Sequence, residues 1–196
     1  MMSGVGGQGL QVSGLLLGMA AMLEGKQVLQ FSAYLGAMRG LNSETTTIIS
    51  DRRIEQPPLL SQWSALVALD IQPFEEYKNK VKPGGLIVLS RSPESVNTAN
   101  IALPEDIAIL EIPATELAQE LGNQMVVSMI ALGAFAEATR IVAIESLLSA
   151  LEEILPPHRH QYVEVNNRAI LRGVGFVKEL RSKSGWEPSA LFRDMV

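Results

Sequence analysis

Cysteine is absent from the 196 residues. The chain therefore carries no disulfide, no thiolate nucleophile and no cysteine-ligated iron–sulfur cluster. If it serves electron transfer, the clusters belong to other chains. Charge is also scarce: Asp, Glu, Lys and Arg make up 19% of the residues, and the net charge is −5. No basic run exceeds Arg52-Arg53, so a nucleic-acid footprint is not expected. The two histidines, His158 and His160, follow Pro156-Pro157 in a polar stretch with no third ligand nearby, which is too few for a metal centre. There is no Ser-His-Asp arrangement, no H-E-x-x-H and no G-K-[ST] of a P-loop. The longest apolar stretch, Leu10 to Leu23, is interrupted by Gln11, Ser13, Gly14 and Gly18 and is short for a bilayer span. No basic region precedes it, so it does not read as a signal peptide. These absences predict a cytoplasmic protein, without membrane or nucleic-acid partners, that binds rather than catalyses alone.

What is present begins with glycine. Gly4-Val5-Gly6-Gly7-Gln8-Gly9 leads directly into the apolar stretch from Leu10, which reads as a helix. Backbone N–H groups at a helix N-terminus lack intrahelical partners and carry partial positive charge. The loop is thus a candidate seat for a phosphate or carboxylate, or else a tight strand-to-helix turn that binds nothing. Gly4, Gly6 and Gly9 fit G-x-G-x-x-G, a fingerprint that needs a preceding strand and an acid about 20 residues on. Only Met1, Met2 and Ser3 precede Gly4. That is too little for a buried strand, and it suggests a start further upstream. Glu24 stands at a plausible distance, but Gly25-Lys26 after it looks like a helix end.

The length suits one domain with a proper core. Apolar residues reach 47%, as expected of a well-filled α/β core or of surface covered by partners. The helix from Leu10 is apolar nearly all round, so it is buried on most sides. Gly14 and Gly18 would let it lie close to a sheet or another chain. Strands are expected over 26–31, 43–50, 65–69, 86–89 and 107–112, with a loop over 32–42 and another at Pro57-Pro58. A helix over 73–82, with Phe74 and Tyr77 inward, should end at the turn Pro83-Gly84-Gly85. This strand–helix–strand unit argues for a parallel sheet. Asp70 then stands at a strand's carboxyl end, where ligands collect in open α/β sheets, although a loop acid or helix cap often sits there too. Further helices are expected over 114–121, with Thr115 near its cap, and over 124–138, 144–155 and 161–180. In the tail, Trp186, Leu191 and Phe192 should dock on this chain or a partner. The expected fold is a three-layer, Rossmann-like α/β domain over 1–180, its mostly parallel sheet carrying helices on both faces. The tail, 181–196, is a candidate for docking on a partner.

Taken in order, these blocks resemble a known family. Gly4-Val5-Gly6-Gly7-Gln8-Gly9 is similar to the G-x-G-G-Q-G start of the gamma subunit of 2-oxoacid:ferredoxin oxidoreductases. Tyr34 with Met38-Arg39-Gly40 resembles its Y-x-x-x-x-R-G segment, and Ile48-Ile49-Ser50-Asp51 with Ile54 its I-S-D-x-x-I. Pro83-Gly84-Gly85 matches its central turn. Ile112-Pro113-Ala114-Thr115-Glu116-Leu117-Ala118, closing on Gly122-Asn123, resembles its I-P-A-T-x-L-A…G-N block. Asn166, Ala169 and Gly173 sit like its closing N-x-x-A-x-x-x-G. The chain departs at Leu41, where the family commonly has a second glycine, and at Gly36 and Ala37, near which it often has an acid.

The resemblance implies a subunit of a thiamine-diphosphate-dependent 2-oxoacid:ferredoxin oxidoreductase. Such a complex decarboxylates a 2-oxoacid to an acyl-CoA and passes electrons to ferredoxin; pyruvate, 2-oxoglutarate, a branched-chain oxoacid and indolepyruvate remain open as the substrate. Thiamine diphosphate and iron–sulfur clusters are expected in alpha, beta and, where present, delta partner subunits. This chain should supply no catalytic residue and be inactive alone. The amides of Gly6, Gly7, Gln8 and Gly9, with Arg39, are the candidate contacts for the phosphates of coenzyme A or for a partner interface. Two other readings stay open: a non-catalytic assembly module, and a stand-alone dinucleotide-binding protein.

Overall fold

A computed structural model describes residues 1–5, 8–34, 42–55, 60–91, 106–188 and 192. The expectations for Gly6, Gly7, Arg39, Pro57-Pro58 and Leu191 fall outside these. Six strands form one sheet in the order β2-β3-β1-β4-β5-β6. They are β1 (Met2–Val5), β2 (Gln27–Tyr34), β3 (Asn42–Ser50), β4 (Trp63–Ala68), β5 (Val81–Ser90) and β6 (Ala108–Ile112). β1, β4, β5 and β6 are mutually parallel, while β3 runs antiparallel between β1 and β2. The helices are α1 (Leu10–Leu23), α2 (Ile71–Tyr77), α3 (Ala114–Glu120), α4 (Val127–Thr139), α5 (Ile144–Ile154) and α6 (Val163–Ser184). The expected mostly parallel α/β sheet is therefore present.

Alternation along the central strands explains the layers. Val67, Leu86, Val88, Leu110 and Ile112 point to one face, under α1 and α3 to α6. Leu66, Ala68, Ile87 and Leu89 point to the other, under Phe74 and Tyr77 of α2. Successive side chains of a strand face opposite ways, so strands covered on both sides read as unbroken apolar runs. α1 lies on the β2–β3 hairpin. A Cβ at Gly14 would stand 2.7 Å from Thr45 Oγ1, and Thr47 Oγ1 donates to the Gly14 carbonyl at 3.4 Å. The glycine face of this helix meets the sheet.

Several expectations need correction. A strand does lead into the glycine loop: β1 has four residues, Gly4 among them, and is central in the sheet. It went unseen because a strand this short offers no periodicity. Pro83-Gly84-Gly85 is not a helix-ending turn but part of β5. The helix before it stops at Tyr77 and tightens into a 3-10 turn, Lys78–Lys80. Gly84 takes a positive φ of 77°, and the β4–β5 register shifts between Trp63 and Ala65. The proline and glycines thus mark an irregularity inside a strand. β2 runs on to Tyr34, into the expected loop. Thr115 lies near the cap of α3 as expected, with Pro113 in the cap position itself.

α4 and α6 cross almost backbone to backbone. A Cβ at Gly173 would fall 2.8 Å from Ala134 N and collide with Ile130 O. A Cβ at Gly133 would fall 2.9 Å from Ile170 Cα and collide with Ile170 O. Arg181 then ties the end of α6 to the end of α4. Its guanidinium meets the Glu137 carboxylate at 2.6 Å and the carbonyls of Glu137 and Ala138 at 3.1 and 3.3 Å. A cation there also complements the helix dipole. In the tail, Trp186 Nε1 donates to the Ile109 carbonyl of edge strand β6 at 3.1 Å, and Phe192 is fully buried in the core.

Glu24 closes the other end of α1. Its Oε1 accepts the Ala143 amide at 2.6 Å, at the start of α5, and its Oε2 lies 3.3 Å from Lys26 Nζ. Partial burial alone would raise its pKa. The Ala143 amide, the Ser146 hydroxyl and the Lys26 ammonium outweigh that and hold it below the ordinary value.

Two outcomes are expected. Gly173→Ala should cost about 3 kcal/mol through overpacking, lowering Tm by about 6–12 °C in a domain of this size, as read by calorimetry. For Glu24 the folded pKa lies below the unfolded one, so its stabilisation is present at neutral pH and is lost as pH falls through the folded value. Glu24→Gln should therefore cost about 0.5–1 kcal/mol at pH 7. The gap from wild type should close below about pH 4 in denaturant titrations.

Candidate functional site

β1 delivers the glycine loop to the carboxyl end of the parallel strands. The sheet's chain order reverses there: from β1 the chain moves outward to β2 and β3 on one side, while β4, β5 and β6 follow on the other. A crevice outside the carboxyl ends at such a switch point is where open α/β sheets receive ligands. Gln8 does not reach outward with its carbonyl oxygen. Gln8 Oε1 accepts the Val5 amide at 2.8 Å, and Gln8 N donates to Val5 O at 3.3 Å, so the residue fastens the strand to the turn.

Gly9 is the N-cap of α1, with φ 79° and ψ 13°. This left-handed conformation favours glycine. No side chain caps the helix, and its first turn contains no acid. The Gly9 carbonyl takes the first intrahelical bond, from Ser13 N at 3.0 Å. The N–H groups of Leu10, Gln11 and Val12 thus stand at the helix mouth without intrahelical acceptors. Behind the cap lies Ser128 of α4, whose Oγ is 3.0 Å from where a Gly9 Cβ would be. That hydroxyl is buried and has no hydrogen-bond partner among the described residues. A lone serine in the apolar 124–138 segment gave no signal of this placement.

Beside the loop, Leu69, Asp70, Ile71, Leu89, Ser90, Arg91 and Thr115 line a cleft of about 100 Å³. Asp70, a ligand candidate, caps α2 instead: its Oδ1 accepts the Ile71 amide at 2.6 Å. Arg91 was missed, although it follows the apolar run of β5 just as Asp70 follows that of β4. It pairs with Glu111 at 2.7 Å. The dinucleotide reading loses its acid, because Glu24 is engaged at Ala143. Moreover β3 separates β2 from β1, so the end of β2 does not adjoin the loop. His160 is engaged with the Leu155 carbonyl at 2.9 Å. Among the described residues, no group of three or more His, Asp or Glu is placed to hold a metal, and no helix is long and apolar enough to cross a membrane.

A second titratable cluster lies across the sheet from α1. Tyr77 donates its hydroxyl to Glu44. Burial first, then the hydrogen bonds and charges of Glu44 and Glu76, hold this phenol far above its ordinary range. Trp63 packs edge-on against Tyr77 at 5.7 Å, and Lys80 Nζ sits over both rings, 5.6 and 5.1 Å from their centroids. Protonated at neutral pH and packed under a cation, Tyr77 is built as a structural group.

Comparison with known proteins places these features. The family described as pyruvate ferredoxin/flavodoxin oxidoreductase matches residues 1–176. A 2-oxoglutarate synthase subunit, KorC, from Methanocaldococcus jannaschii is 32% identical over 182 residues, covering 91% of this chain and 93% of the relative. A pyruvate synthase subunit, PorC, from Methanothermobacter marburgensis is 30% identical over 155 residues, covering 78% and 84%. Among solved structures, the gamma subunit of a keto/oxoacid ferredoxin oxidoreductase from Geobacter sulfurreducens superposes with a TM-score of 0.72 at 27% identity, over 91% of this chain and 96% of that one. The 2-oxoglutarate:ferredoxin oxidoreductase of Magnetococcus marinus, solved with 2-oxoglutarate, coenzyme A and succinyl-CoA, shares the fold. Its TM-score is 0.81 at 21% identity, over 96% of this chain and 32% of that one. By that match over residues 1–176, and by its likeness to KorC over nine-tenths of both chains, the chain belongs to the pyruvate ferredoxin/flavodoxin oxidoreductase family.

Proposed function

We propose that this chain is the gamma subunit of a cytoplasmic 2-oxoacid:ferredoxin oxidoreductase, with 2-oxoglutarate as its preferred substrate. Thiamine diphosphate and the iron–sulfur clusters reside in the alpha and beta subunits, or in a delta subunit, and ferredoxin accepts the electrons. The observation that carries this reading is the likeness to KorC over 93% of that relative's length. Two further KorC subunits are 33% and 32% identical over 160 and 158 residues. The chain's own chemistry agrees: it has no cysteine, and its glycine loop can bind but not react. Leu15, Met22 and Leu23, all 46–57% exposed on α1, give an apolar surface suited to contact with a partner subunit.

Within that role the mouth of α1 seats an anionic group of coenzyme A, with Gly9 and its loop neighbours Gly6 and Gly7 providing close approach. Gln8 holds the loop in shape, and Arg39 is the candidate counter-charge. This chain binds and orients; it moves no proton or electron itself.

The complex, purified with and without this chain, tests the first part. Viologen reduction should require the chain and coenzyme A, and should be fastest with 2-oxoglutarate among pyruvate, 2-oxoglutarate, branched-chain and aryl oxoacids. Equal rates without the chain would end the proposal, and a different best oxoacid would correct the substrate. Gln11→Glu tests the anion seat by placing an acid in the first turn of α1. It should raise KM for coenzyme A by a factor of about five, equivalent to ~1 kcal/mol. Because an acid there favours the helix, Tm should hold or rise slightly. An unchanged KM would place coenzyme A elsewhere.

A further inference from the structure

α1 and α4 begin side by side. Ser128, in the first turn of α4, lies against Gly9, the cap of α1. One turn further on, Ser13 Oγ of α1 meets Met129 Sδ of α4 at 4.0 Å. The two helices have 14 and 13 residues, so the positive ends of both act on the same region. Neither helix has a side-chain cap, and neither has an acid in its first turn. No carboxylate of these first turns neutralises the field that the two ends share.

Ser128 is left unspent at this junction. It is 1% exposed, and its Oγ has no hydrogen-bond partner among the described residues. A buried hydroxyl without a partner is costly, so each one calls for an explanation. The hydroxyl serves no packing need, because every other residue from Val127 to Ala136 is apolar or glycine and an alanine would fill the same place. Its Oγ stands 3.0 Å from the position of a Gly9 Cβ. Beyond the adjoining residues of the chain, no other atom of the described residues lies within 4 Å of that position. The hydroxyl thus faces the space that the missing side chain of Gly9 leaves beside the mouth of α1.

We propose that Ser128 is a binding residue whose hydroxyl donates to a phosphoryl oxygen held at the mouth of α1. The inference rests on the reading that this mouth seats an anionic group of coenzyme A, and it narrows that group to a phosphate. The amides of Leu10, Gln11 and Val12 come from one helix, and the Ser128 hydroxyl adds a donor from a second. A carboxylate presents its two oxygens in one plane. A phosphate presents its free oxygens around a tetrahedron, so it accepts from two elements at once. The donor from α4 also draws the anion towards the helix layer, so Ser128 sets the position of the group as well as strengthening its hold. Coenzyme A carries this chemistry in two places, its 3′-phosphate and its diphosphate.

The test is calorimetric titration of the whole complex, without 2-oxoacid, using coenzyme A, 3′-dephospho-coenzyme A and pantetheine. Ser128→Ala should weaken coenzyme A about tenfold, as expected for one lost hydrogen bond to a charged group. Pantetheine has no phosphate and should bind the wild-type and variant complexes alike. If the seat takes the 3′-phosphate, dephospho-coenzyme A should be indifferent to the substitution. If it takes the diphosphate, dephospho-coenzyme A should weaken about tenfold as well. The Tm of Ser128→Ala should hold or rise, because the fold loses no hydrogen bond with an unpartnered hydroxyl. Unchanged affinity for coenzyme A, alongside weakening by Gln11→Glu, would overturn the role of Ser128 and leave the anion seat standing. Unchanged affinity in both variants would overturn the seat too. An equal loss for pantetheine, or a Tm lower by several degrees, would overturn the proposal by assigning the hydroxyl a structural partner.

Discussion

Everything in this fold hangs on a four-residue strand. Among the described residues β1 alone joins the antiparallel β2–β3 hairpin to the parallel strands β4 to β6, and its ladder to β4 has two registered pairs. A central strand must satisfy both neighbours with its backbone while burying both faces, and Met2, Ser3 and Gly4 are all buried. At its carboxyl end the chain turns at once into α1, and the helix mouth faces the crevice.

The layers are unequal, and packing explains why. Among the described residues the helix side carries five helices, brought close by small residues: Gly14 against Thr45, and Gly133 and Gly173 at the α4–α6 crossing. Close approach gives many dispersion contacts per residue and leaves no room for even one methyl group. The other face is covered, among the described residues, by seven-residue α2 alone, whose Phe74 and Tyr77 reach the sheet. So small a helix is held by specific contacts: the Asp70 cap, the Tyr77–Glu44 hydrogen bond, and the stack of Lys80 with Trp63 and Tyr77. The inner layer is held by volume, and the outer one by the buried Phe74 and Tyr77 together with these polar contacts.

Much of this was legible in the residues, and the failures have physical causes. The buried strands β4, β5 and β6 are continuous apolar runs, and α1, α4, α5 and α6 carry helical spacing over ten residues or more, long enough to fix their type. β1 was missed because four residues hold no period, and its burial comes from neighbours far along the chain. Pro83-Gly84-Gly85 was misread because proline and glycine signal an irregular backbone without saying whether the chain ends an element or bulges within one. The glycine-rich turn into α1 was legible from local chemistry, while the left-handed conformation of Gly9 itself came from the structure. The roles of Gln8 and Glu24 were not, because each depends on one amide, Val5 for the first and Ala143 for the second. Ser128 arrives through tertiary packing and has no local signature, whereas Arg91 carried one, at the end of the apolar run of β5.

The energetics of the α1 mouth argue for shared binding. A helix terminus contributes roughly 0.3–1 kcal/mol to holding a charge, and up to about 2 kcal/mol when partly buried. Micromolar affinity for a coenzyme needs about 8 kcal/mol. The described residues around the loop add little to this: Gln8 Oε1 is spent on Val5, Asp70 on Ile71, and Arg91 is paired with Glu111. A chain with a net charge of −5 adds no long-range attraction for an anion either. The glycine loop on this surface alone is therefore too weak to retain a coenzyme. Under the proposed role, retention would need a second surface to close over the loop and supply the remaining contacts, and the exposed apolar side of α1, Leu15, Met22 and Leu23, offers such a surface a place to bind.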